Sequence, residues 1–180
     1  MNQIPYITGS KTLDLKLFDL MDTVKGVYHL NEDVVTLNEL ITFIETKLGG
    51  TIRYTDHTLE RVEVMRTKTS FELVISNSLQ KEDEMIAILM GIVHLFCHMG
   101  YQIDQDKWLS FKENIFFSKT TDHTRQAYWL AIYLLISEKG LTKILEESRV
   151  SLLNYNFKKS CEKYHLSKGA ITNRIALSHL

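Results

Sequence analysis

Apolar residues in the first third of the chain recur at helical spacing. Leu13, Leu17, Leu20, Met21 and Val24 fall on one face of a first amphipathic helix. Thr36-Leu37-Asn38-Glu39 has the form of a capping box, in which threonine and glutamate satisfy each other's backbone amides. The helix it opens turns Leu37, Leu40, Ile41, Ile44 and Leu48 inward. It stops at Gly49-Gly50, where a left-handed cap costs glycine least. The period then shortens to two. Ile52 and Tyr54, then Val62 and Val64, alternate with polar residues, and Phe71-Glu72-Leu73-Val74-Ile75 follows a polar stretch. With small turns at 56–58 and 67–70, the pattern predicts a three-stranded antiparallel meander closed by Asn77-Ser78.

The longest apolar stretch, Met85 to Tyr101, lies in a helix predicted from about Gln80 to Tyr101. It is short for a membrane span and carries two histidines, so it reads as a buried helix. The segment 102–120 holds Trp108, Phe111, Phe116 and Phe117 in no clear period. From Thr121 onward the pattern predicts helices only. The first is 122–137, with Ala127, Leu130, Ala131, Leu134 and Leu135 inward, and Gly140 breaks it. Helices over 141–150, 152–165 and 167–178 follow, the last capped by Ser167. The fold class is α+β: mainly helical, with a small three-stranded antiparallel sheet packed on the helix of His94 and His98. One domain spans 1–180, divided into an N-terminal helical arm (1–35), a core (36–137) and C-terminal helices (138–180).

Composition narrows the function. The chain has 180 residues, 44 % hydrophobic and 24 % charged, enough for one domain with its own core. A net charge of −1 offers no basic excess for phosphate contacts, so nucleic acid is not the favoured partner. Lys158, Lys159, Lys163 and Lys168 cluster near Tyr155, Phe157 and Tyr164, but Glu146, Glu147 and Glu162 dilute them into a solvated face. Cys97 and Cys161 sit in apolar segments, as thiols do in a reducing cytosol. Met1-Asn2-Gln3-Ile4-Pro5-Tyr6 does not open as a signal peptide, which points to a cytoplasmic protein without a membrane anchor. The aromatics from Trp108 to Tyr133 read as core rather than as a peptide or base-stacking groove.

The chemistry gathers at Ile92-Val93-His94-Leu95-Phe96-Cys97-His98. Histidines four apart share a helix face and can reach one metal ion, the spacing of His-Glu-x-x-His zinc hydrolases. In those enzymes a glutamate follows the first histidine and activates the zinc-bound water. Here Leu95 stands there. Two ligands do not complete a zinc site, and a buried, hydrogen-bonded pair fits the same spacing. His123 and Asp122 are further competent ligands at the start of a helix.

The order of these elements resembles the ImmA/IrrE family of zinc-metallopeptidase-like proteins. Ile75-Ser76-Asn77 ends the strand before the histidine helix. Thr124-Arg125-Gln126-Ala127-Tyr128-Trp129-Leu130-Ala131 stands where the family has its next conserved-type helix, and Leu166-Ser167-Lys168-Gly169-Ala170 leads to Asn173-Arg174-Ile175. The resemblance implies a zincin-like core with three departures. The general-base position is Leu95, the position of the third metal ligand is Thr124, and the glycine before the second histidine is Cys97. Loss of a general base removes about 10²–10⁴ in rate. The resemblance therefore implies a catalytically degenerate protein of a phage or mobile element. It would act by binding a protein, either a helix-turn-helix repressor in transcription regulation or a host defence factor. One alternative is an active zinc metallopeptidase with a rearranged site that cleaves a repressor. Another is a nucleic-acid-directed anti-defence protein. No cofactor is expected, unless the histidine pair holds zinc.

Overall fold

A computed structural model describes residues 11–30, 33–56, 60–64, 69–111, 115–117, 121–151 and 154–178. Helix α1 (Lys11–Tyr28) buries Met21 and Val24 on the face that the spacing marks as apolar. The capping box before α2 (Leu37–Thr42) is formed: the Glu39 amide donates to Thr36 Oγ1, and the Thr36 amide donates to Glu39 Oε2 at 2.8 Å. The helix widens into a π turn over Phe43–Leu48. It ends at Gly49 with a φ of 66°, the left-handed conformation the sequence asks for.

The sheet is larger and differently ordered than a meander. Its strands are β1 (Thr51–Thr55), β2 (Arg61–Val64), β3 (Phe71–Ser76) and β4 (Ile115–Phe116), in the order β1-β3-β2-β4. The antiparallel trio consists of β3, β2 and β4, whereas β1 runs parallel to β3 with Ile52 opposite Leu73. Burial explains the order. Val62, Leu73 and Ile75 are fully buried, so β2 and β3 take the centre, and the exposed β1 is left at an edge. The turns predicted around 57–58 and 67–68 lie outside the described residues.

Helix α3 (Lys81–Val93) is the central element. Every residue from Met85 to Val93 is buried, between β3 on one side and α5 (Asp122–Leu135) on another. Ala127, Leu130, Ala131, Leu134 and Leu135 all face inward on α5, as their spacing predicts. In the segment without a readable period, Asp104 caps a short helix α4 (Gln105–Ser110), and Trp108 packs edge-on against Tyr101.

The end of α5 is set by other contacts than Gly140. Ile136 is extended and bridges to Val34, while the Val35 amide donates to the Leu135 carbonyl at 3.0 Å. Gly140 lies inside α6 (Glu138–Ser148), where a Cβ would stand 2.2 Å from the Asp33 carbonyl oxygen. The glycine permits close approach and does not break the helix. The described residues between 149 and 155 are also not helical. β5 (Arg149–Ser151) and β6 (Asn154–Tyr155) pair as a hairpin before α7 (Lys158–Tyr164). Helix α8 (Lys168–Leu177) begins at Ser167, whose hydroxyl accepts from the Ala170 amide.

Arg174 fastens α8 to the α5–α6 junction. It is 1 % exposed; Nε donates to the Ile136 carbonyl at 2.7 Å and Nη2 to Glu138 Oε2 at 2.8 Å. The guanidinium lies 4.8 Å from the Tyr133 ring centroid. Arg174→Leu strips a buried carbonyl of its charged donor, and a loss of about 2–3 kcal/mol is expected. For a chain of this length that is a fall of roughly 5–10 °C in Tm, measured by a thermal melt.

Candidate functional site

At its C-terminal end α3 runs into a π turn, His94–His98, closed by the Met99 amide donating to the His94 carbonyl at 2.9 Å. Single π turns recur at functional sites because the extra residue re-aims side chains. Here both imidazoles share one face, with their Nδ1 atoms 2.7 Å apart. His98 Nε2 meets Gln126 Oε1 of α5 at 3.3 Å. An amide oxygen only accepts, so His98 Nε2 carries the proton and its Nδ1 is bare. His94 Nδ1 therefore donates to His98 Nδ1. His94 Nε2 is left buried and bare, with no partner among the described residues.

Two further rings close over the pair. Phe117 stacks on His94, centroids 5.3 Å apart and planes within 9°. His123, in the first turn of α5, stacks on His98 at 4.5 Å. Phe117 is held there because its amide donates to the Glu60 carbonyl, extending the β2–β4 pairing by one bond. His94 is fully buried and His98 partly so. Burial disfavours the charged imidazolium and lowers His94 to about 3, with His98 and His123 adding repulsion. Burial likewise lowers His98 to about 4, against the raising effect of the hydrogen bond that His98 donates to Gln126. Both rings are neutral at pH 7. The Cys97 thiol is pushed up to about 12 by burial, so it is a protonated thiol at pH 7.

The structure thus brings together His94, His98 and His123 from the residues singled out by sequence. Thr124, next to His123 in the chain, is buried. Its hydroxyl is engaged 2.7 Å from the hydroxyl of Thr121, the N-cap of α5. Asp122 is directed to solvent and pairs with Arg125 at 3.0 Å. Leu95 has no exposure and belongs to the core. Sequence reasoning missed Gln126 and the specific part of Phe117, whose only signal was membership of an aromatic group.

Zinc–imidazole bonds of about 2.1 Å in a tetrahedron set ligand nitrogens roughly 3.3 Å apart. The Nδ1 pair at 2.7 Å is a hydrogen bond, and His123 lies face-on to His98. Among the described residues no group of three His, Cys, Asp or Glu side chains is disposed to hold a metal. The donor set in this arrangement does not fit the zinc of a His-Glu-x-x-His site.

A peptidase-family model, the IrrE N-terminal-like domain, matches residues 45–176. The chain belongs to the IrrE N-terminal-like family. The match takes in the whole four-stranded sheet, the histidine turn, α5 and nearly all of α8, and leaves α1 and α2 outside. No curated protein matches the chain. No described helix is long and apolar enough to cross a membrane.

Proposed function

We propose that this chain is a non-catalytic member of its family, a cytoplasmic pseudo-metallopeptidase that acts by binding another protein. The observation that carries this reading is the state of His94: neutral, bonded to His98, covered by Phe117, and followed by a fully buried Leu95. A hydrolase of this class needs a base beside its metal-bound water, and the residue after His94 is a leucine, which cannot take a proton. The partner class is the one the family resemblance suggests, a helix-turn-helix repressor or a host defence protein of a cell carrying a phage or mobile element.

The test is incubation of the purified protein with an unstructured protein and with a repressor, with and without added zinc. No cleavage above the buffer blank is expected, and metal analysis should find well below one zinc per chain. Chelator-sensitive proteolysis that disappears in His94→Ala would overturn the reading. It would favour a rearranged site in which His123 turns from its stack to serve as third ligand.

A further inference from the structure

Beyond the histidines, a cleft of about 740 Å³ runs along α3 between α5, α8 and the ends of β2 and β3. Its floor is apolar. Ile86, Ala87 and Met90 are each 7 % exposed, while Met85, Ile88 and Leu89 on the same helix are at 2 % or less. A core helix that surfaces only along one stripe, inside a concavity, is a prepared apolar contact. Phe117 closes one end of the cleft with the ring that also covers His94. The volume falls within the range of about 300–1,000 Å³ typical of ligand sites.

The rim decides what the cleft can take. Glu82 is committed to α8, accepting from the Ser167 hydroxyl at 2.7 Å and from the Ser167 amide. Arg125, the cation of the rim, is paired with Asp122. No described residue pairs with the carboxylates of Glu60 or Asp83, and Asp83 is exposed. Among the described residues that line the mouth, the charge left without a partner is therefore negative, above an apolar floor. Nucleic acid is repelled by such a rim; a segment with an apolar anchor beside a cation is matched by it.

We infer that this cleft receives an extended segment of the partner protein in which a large apolar side chain lies next to lysine or arginine. The apolar side chain rests on Ile86, Ala87 and Met90, and the cations meet Glu60 and Asp83. This inference rests on the protein-binding reading above and gives it a site and a ligand chemistry.

The probe is a short fluorescein-labelled peptide with Arg-Leu-Lys in a Gly-Ser background, compared by anisotropy with its Glu-Leu-Glu counterpart. The basic peptide should bind at least roughly tenfold more tightly. Gly169→Trp fills the cleft from its rim. A Cβ at Gly169 meets only the Ser167 hydroxyl, at an ordinary 3.4 Å, so the variant should melt with the parent while losing about tenfold or more in affinity. Glu60→Lys combined with Asp83→Lys should reverse the preference between the two peptides. Equal binding of both peptides, or unchanged binding in a folded Gly169→Trp variant, would overturn the inference. So would displacement of the peptide by a single-stranded oligonucleotide. Failure of peptide binding without proteolysis removes the cleft and leaves the non-catalytic reading in place. Chelator-sensitive cleavage of the peptide removes that reading instead.

Discussion

Leu95→Glu is expected to unfold the protein, not to arm it. The family resemblance sets this position at the catalytic base, so restoring a carboxylate looks like a route to activity. Leu95 has no exposed surface, however, and lies on the core side of the turn that carries the histidines. A glutamate there loses the packing of the leucine and buries a carboxyl without a partner, a combined cost of about 3–5 kcal/mol. That is a large share of the roughly 5–15 kcal/mol that holds a domain together. Urea titration should show a collapse of the midpoint for Leu95→Glu and little change for Leu95→Met. A folded Leu95→Glu variant that takes up one zinc per chain would show that position 95 reaches the histidine face after all.

Acid is the second large lever. The unfolded value of a histidine is about 6.5. In the fold, burial lowers His94 to about 3 and His98 to about 4. As pH falls, the unfolded chain binds protons first. The stability contributed by the neutral rings is whole above pH 6.5 and is lost progressively as pH falls from there to about 4 for His98 and about 3 for His94. Between pH 7 and pH 4.5 the loss should be about 3–5 kcal/mol for the pair. Paired carboxylates also weaken in acid, and the control separates the two. In the double variant His94→Leu with His98→Leu, both members of the hydrogen bond become apolar and stability at pH 7 should change little. Its stability should fall less on acidification than that of the parent. Parallel curves for parent and double variant would mean that the imidazoles titrate freely and are not buried as described.

The helices of this fold were legible because their signals are local. Thr36 with Glu39 at spacing three, Gly49 after the last apolar residue, and Ser167 before α8 each act within one turn, and each stands where its spacing places it. The sheet was legible only as strands. Alternation identifies Ile52-Arg53-Tyr54 as extended, but it carries nothing about whether β1 runs with β3 or against it. Two residues at Ile115–Phe116 are too few to show a period at all. Gly140 misled because glycine serves both as a stop and as a point of close approach, and only the Asp33 carbonyl beside it distinguishes the two. The same holds at the candidate site. The spacing of His94 and His98 brings them together, whereas Phe117, His123 and Gln126 arrive from other elements at no fixed separation.

The junction at Ile136 bears on the order in which the molecule assembles. Val34 before α2, Ile136 after α5 and Arg174 in α8 meet there, and none is near another in the chain. Contacts between remote segments form only after the entropy of closing the intervening loops has been overcome, and the Val34–Ile136 bridge spans the longest such loop here, so this knot is expected to form after α3 and the sheet. Interactions absent from the folding transition state govern how quickly the finished protein comes apart. An Arg174→Leu chain should then refold at nearly the parental rate and open much faster. The lifetime of the protein against a cell's proteases would be set at this knot, far from the histidines and from the cleft.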